Sequence, residues 1–205
     1  MLFCKRLFVL VAVVLLLNGC VVVQSKVSED KTPNPDSAYL YGNFRLITTD
    51  NVGLSIILQE YDPKQDENEA SMEYFIGFNK IDTGKVDLIE IPPGLYNING
   101  MLNLQKDTVG YAPRGRSKLF KTPDPIVITL QAGKAYYLGD YTGTSSVYCS
   151  YQSCRYNWRL TSIENTMEKS TQVFKEHYNS FQKLSAISLL PEIIGQLKTK
   201  VSTSE

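Results

Sequence analysis

The sequence predicts a mainly β protein, an antiparallel β-sandwich with C-terminal α-helices packed against it. Three observations carry this. From residue 38 onward, short stretches rich in aromatic and β-branched residues recur between turn signals. In several of them apolar side chains alternate with period two, the pattern of a strand. After residue 163 the period changes to that of a helix.

AYLYGNFRLIT, from Ala38, opens the strand region, and VGLSIILQEY continues it after Asp50-Asn51. DPKQDENEAS is polar and acidic, a loop; MEYFIGFN is apolar and aromatic. VDLIEI alternates, with Val86, Leu88 and Glu90 on one side and Asp87, Ile89 and Ile91 on the other, so both faces are partly buried. Pro92-Pro93-Gly94 stops it, and LYNINGMLNL follows. QKDTVGYAPRGRSK reads as a long loop. Ile126, Ile128 and Leu130 then alternate with Val127, Thr129 and Gln131, and Ala132-Gly133 turns the chain into KAYYLGDYTG. A hairpin through VYCSYQSCRYNW ends in RYNWRLTSI. About eight short strands with regular turn signals suit a sandwich or barrel.

Asn165 is placed to cap the next helix, with Glu168 completing a capping-box-like pair. Met167, Phe174, Tyr178 and Phe181 recur at spacings of seven, four and three, a stripe that would lie against a sheet face. LLPEIIGQLKTK reads as a second helix, with Pro191 in its first turn and Lys198 and Lys200 near its C-terminal dipole. No proline-rich linker separates helices from strands, so residues 38–205 read as one domain.

The first residues set the expected compartment. Lys5 and Arg6 precede an apolar run at residues 7–17, which Asn18 and Gly19 break. That run suits a secretory signal better than a span, which needs about 20 residues. Leu17-Asn18-Gly19-Cys20 resembles the lipobox of bacterial lipoproteins, with Asn18 where that family usually has Ala, Ser or Thr. The resemblance implies a signal peptide over residues 1–19, removed before Cys20, and lipid on the Cys20 thiol. Val21 in place of an Asp implies the outer membrane of a Gram-negative cell. The alternative is an uncleaved anchor extended through Val21, Val22 and Val23. Residues 20–37 would form the lipidated N-terminus and a flexible tether, since QSKVSEDKTPNPDS has two prolines and no apolar periodicity.

Formal charge is zero, with 21 basic and 21 acidic residues, and no basic run points to nucleic acid. Of the four cysteines, Cys4 falls in the signal and Cys20 at the lipobox. Cys149 and Cys154, in an exported chain, read as a disulfide. Zinc would need about four ligands, and the single histidine, His177, is remote in sequence. No metal or cofactor is indicated.

IEIPPGLYNI and VITLQAGKAYYLG are similar to the core of uncharacterised bacterial lipoproteins with transthyretin-like or carboxypeptidase-regulatory-like sandwiches. That resemblance implies a fold and brings no catalytic residues. None of the nucleophile or metalloprotease motifs is present. His177, beside Tyr178, reads as a helix histidine without a catalytic partner. Asp62, Asp66, Glu67 and Glu69 read as a solvated loop; their spacing fits no EF-hand.

One candidate ligand surface remains. Arg114 and Arg116 could grip an anion. Tyr137, Tyr141, Tyr156 and Trp158 sit in a tyrosine-dense region, Tyr137 sharing a face with Tyr141 and Tyr156 with Trp158 by strand alternation. Exposed, they could stack on a glycan or a protein partner; buried, they fill a core. The expectation is a non-catalytic envelope lipoprotein, held to the membrane through Cys20, that serves as an interaction or structural module. The competing expectation is a glycan-binding module or cell-wall-related hydrolase using the aromatic and arginine surface.

Overall fold

The computed structural model describes residues 26–64, 71–80, 85–106, 111–120, 122, 124–151 and 153–202. The expected signal peptide, Cys20, and Asp66, Glu67 and Glu69 of the acidic loop lie outside them. Among the described residues, the strands are β1 (Ala38–Ile47), β2 (Val52–Glu60), β3 (Glu73–Gly77), β4 (Asp87–Ile91), β5 (Gly94–Lys106), β6 (Tyr111–Lys118), β7 (Val127–Leu130), β8 (Ala135–Cys149), β9 (Cys154–Glu164) and β10 (Ala186–Ser188). Two helices follow β9: α1 (Met167–His177), and α2 (Leu190–Ser202) after β10.

The strands form two sheets, as a sandwich requires. The first runs β10-β8-β1-β4, with β9 also on β8; the second runs β3-β2-β5-β6, with β7 also on β5. Most pairs are antiparallel, but β1 and β10 each pair with β8 in parallel. The chain builds the whole second sheet between β1 and β8, so their connection is a crossover rather than a hairpin. Between the sheets lies the larger core, including Leu40, Phe44, Leu54, Ile56, Ile98 and Leu138. The second core lies on the far face of the first sheet, where α1 and the turn after it cover Tyr39, Tyr41, Leu88 and Tyr137. Phe174 is fully buried there, its ring stacked on Tyr41 at 4.7 Å. The expected stripe is thus a sheet-facing one, with Tyr178 and Phe181 supplied by the residues just beyond α1.

VDLIEI is buried on both faces, as its alternation predicts. Leu88 faces the α1 side, while Ile89 and Ile91 face the inter-sheet core.

Four local expectations are corrected. Residues 111–118, read as part of a loop, form β6; Pro113 and Gly115 are tolerated because β6 is an edge strand with a register shift beside Pro113. The cap of α1 is Thr166, not Asn165, and its hydroxyl bonds to Asp140 instead of capping the helix. Residues 186–188 form a short strand that no sequence pattern announced. From Lys26 to Ser37 the presumed tether is held against the domain. Val27 is buried and its N–H donates to the Leu88 carbonyl at 2.8 Å. Lys26 pairs with Asp87 at 2.7 Å, and Lys31 pairs with Glu90. These contacts cover the outer edge of β4.

The bulge where β1 meets β8 decides which residues face where. Tyr41 pairs with Tyr137, but the next β1 residue, Gly42, pairs with Gly139, so Leu138 is the extra residue. Gly139 sits at φ +124°, a conformation open to glycine. A Cβ on Gly42 would lie 2.3 Å from the Gly139 carbonyl oxygen, so the two backbones approach this closely only without one.

Candidate functional site

The bulge overturns the predicted Tyr137–Tyr141 surface. An extra residue in β8 reverses its alternation. Tyr137 therefore lies in the core under α1 and Tyr141 in the core between the sheets, at 0% and 1% exposure. The Tyr137 hydroxyl donates to the Glu164 carbonyl at 3.1 Å, and the Tyr141 hydroxyl to the Leu138 carbonyl at 3.2 Å. Burial pushes both phenols up, so both stay protonated at neutral pH.

Tyr156 and Trp158 do share a face, but it is the inner one. Trp158 packs against the inter-sheet core, and the Tyr156 hydroxyl donates to Gln105 on β5. Arg114 and Arg116 lie on β6, beside the opposite face of the second sheet. There they border a groove of about 250 Å³ with Phe75, Leu102, Pro113 and Gly115. Arg116 grips Glu73 with two parallel bonds of 2.5 and 2.8 Å, and the carboxylate raises the guanidinium pKa further. The structure therefore does not assemble the six predicted residues into one surface.

What it exposes instead is the end of the β8–β9 hairpin. Pairing of β1 with β8 ends at Ile47 and Thr144. Beyond that point β8 and β9 continue as a two-stranded arm. Partway along, it is pinned at the Val147–Tyr156 pair by Asp50, whose carboxylate accepts the Val147 N–H at 2.9 Å, and by the Tyr156–Gln105 bond. At its tip Cys149 and Cys154 face each other in register, their Cα atoms 4.0 Å apart, and form the predicted disulfide. The Ser150 N–H donates to the Ser153 carbonyl at 2.8 Å, closing a tight turn.

On this stapled tip Tyr148 is 73% exposed and Tyr151 is fully exposed. Arg155 opposes Tyr148, and Arg159 opposes Thr144 on the same strand pair. Both arginines are exposed, and neither has an ion-pair partner among the described residues. Residues 148, 151 and 155 were the signal available in sequence. Their tyrosines stood beside the cysteines, but nothing local told an exposed tyrosine from a core one.

A second feature was not foreseen. Asp140, just past the bulge, accepts the Asn43 N–H at 3.1 Å and the Ser170 hydroxyl at 3.0 Å, and also the Thr166 hydroxyl. It ties the first turn of α1 to β1. A cleft of about 290 Å³ opens beside it, lined by Arg45, Lys85, Glu164 and Lys169 among others. With its oxygens already accepting bonds from three partners, Asp140 serves as a bolt between helix and sheet. His177 ends α1 with its Nδ1 3.8 Å from Glu29. Glu29 itself is held below the usual carboxylate range by its hydrogen bond from Lys85.

No protein-family model matches the chain, and no curated protein does. Among solved structures, the chain is similar to the crystal structure of a candidate cell adhesion protein from Bacteroides fragilis NCTC 9343, at 16% identity and a TM-score of 0.24. The match covers 64% of this chain and about half of that one, 47%. At that score it carries no argument about this chain.

Proposed function

We propose that this is a lipid-anchored envelope protein whose sandwich presents the β8–β9 arm to a partner, without catalysis. The observation that carries the reading is the stapled tip with Tyr148 and Tyr151 in solvent. Rigid aromatic side chains give large contact area for little ordering cost, and a covalently closed loop is already organised before contact. Lipid on Cys20 would hold the chain at the envelope, at the outer membrane in a Gram-negative cell. Residue 26 is the first described and is already bound to β4. Six residue steps from Cys20 reach at most about 20 Å, so the domain rides close to the bilayer.

The test uses the immobilised domain, detergent extracts of the envelope, and soluble cell-wall glycan fragments. Tyr148→Ala with Tyr151→Ala should abolish retention of the bound envelope component, while Arg114→Ala with Arg116→Ala should leave it intact. Retention of glycan that depends on the arginine pair would instead favour the groove beside Phe75 and Leu102, and with it the glycan-binding reading. Retention indifferent to both pairs would remove the arm from the account.

A further inference from the structure

We infer that the free edge of β9 is a strand-addition site for an extended, acidic segment of a partner protein. This rests on the reading of the arm as a recognition element and gives that element a binding mode.

An edge strand exposes a row of unpaired N–H and C=O groups, and proteins usually guard such rows. The other edges of this sandwich are guarded. The N-terminal segment covers β4 through the Lys26–Ile89 bridge and the Val27–Leu88 bond. The Gln196 side chain reaches from α2 to both backbone groups of Val127 on β7, at 3.0 and 2.5 Å. The Asp50 carboxylate takes the Val147 N–H on the far side of β8. Strand β6 carries Pro113, Gly115 and a register shift, while β3 and β10 are short.

Strand β9 differs from all of them. Among the described residues it pairs only with β8. From 154 to 160 it runs without a register shift and without proline or glycine, the first irregularity falling between Gly143 and Thr142 of its partner. Alternate backbone groups along this stretch point away from β8. Seven residues span about 24 Å, enough for several ladder bonds.

The side chains select the occupant. Arg155 and Arg159 lie on the outer face, four residues apart, and have no acidic partner among the described residues. A strand laid along β9 with carboxylates opposite both would gain two cross-strand charge pairs. A second copy of this chain fits worse. Overlaying 154–160 antiparallel on itself sets Arg155 opposite Arg159 twice, and like charges directly opposite are destabilising. Trp158 between them faces inward against the core, so an added strand need not displace it.

The probe is a synthetic nine-residue peptide alternating Glu with Val, capped at both ends, with a twin carrying Lys for Glu. The readout is amide hydrogen exchange along the arm. The Glu peptide should slow exchange at alternate residues of 154–160, and its binding should exceed that of the Lys peptide by about tenfold or more. Arg155→Glu with Arg159→Glu should reverse that preference while β8 stays protected, which shows that the variant is folded. Protection confined to the 148–153 tip, equal binding of both peptides, or no binding at all would overturn strand addition. So would a dimer in sedimentation equilibrium with β9 amides protected in the free protein. Loss of the envelope component on removing Tyr148 and Tyr151, together with unprotected β9 amides, would leave the module reading standing and this one not.

Discussion

Phe174→Ala should destabilise the domain by about 4 kcal/mol. The ring is fully buried under α1 and meets three others: Tyr41 stacked at 4.7 Å, Tyr178 at 5.8 Å and Phe181 at 6.4 Å. Truncating a buried Phe costs about 3–5 kcal/mol, counting transfer and the cavity left behind. The ring stack adds to the cost, by about 0.5–1.5 kcal/mol for a favourable pair. Ala is the better helix former, which returns about 0.5 kcal/mol. A small domain has only about 5–15 kcal/mol in all, so the variant should be folded but marginal. Phe174 is the large buried side chain of α1, with Ser170 the other buried residue, so the ring supplies most of the helix's apolar packing beside the polar ties to Asp140. Urea titration followed by Trp158 fluorescence reports the inter-sheet core, while amide exchange in α1 reports the helix. A drop in urea midpoint equivalent to about 4 kcal/mol, with much faster exchange in α1, is expected. A loss below about 1.5 kcal/mol with α1 still protected would refute the claim that this ring holds the helix down.

Gly42→Ala should cost about 3 kcal/mol or more, because the new Cβ meets backbone, the Gly139 carbonyl 2.3 Å away, rather than a side chain that can move; thermal unfolding of the purified variant checks it. Replacing both Cys149 and Cys154 by Ser should cost about 2 kcal/mol on the chain-entropy model for so short a loop, leaving the sandwich folded and the tip amides exchanging faster. Alkaline pH should unfold the domain. Burial pushes Tyr178 up to about 12, while its unfolded value is 10, so its contribution is intact below pH 10 and is lost as pH rises towards 12. Tyr41, Tyr137 and Tyr141 shift in the same direction through burial and should steepen the loss, followed by tyrosinate absorbance together with circular dichroism.

Much of the fold was legible because it is written in local periods. Alternation in VDLIEI identified a strand buried on both faces, and the spacing of Phe174, Tyr178 and Phe181 identified a sheet-facing stripe. The disulfide followed from the expected export of the chain and the spacing of Cys149 and Cys154. What escaped was set by partners distant in sequence. Alternation places Tyr137 and Tyr141 together, yet one extra residue opposite Gly42 sends them into different cores. Strand β6 looked like a loop because Pro113 and Gly115 are loop residues anywhere except on a sheet edge. Residues 26–37 looked like a tether because, Val27 aside, their contacts are polar and scattered: Lys26 to Asp87, Lys31 to Glu90, Asn34 to Tyr39. The arm was half legible. Its cysteines marked the hairpin, but only the end of β1 pairing at Thr144 separates its exposed tyrosines from the buried ones.

The most direct test of the central claim is crosslinking in living cells. A photoreactive amino acid at Tyr151 should give a discrete higher-mass adduct in the chain that carries Cys20. The same group at Ala132, an exposed turn residue at the other end of β8, should give none. Cys20→Ser should lose both palmitate incorporation and the adduct. No adduct at Tyr151, or the same adduct from Ala132, would contradict the account of the arm as the part of the molecule that meets a partner.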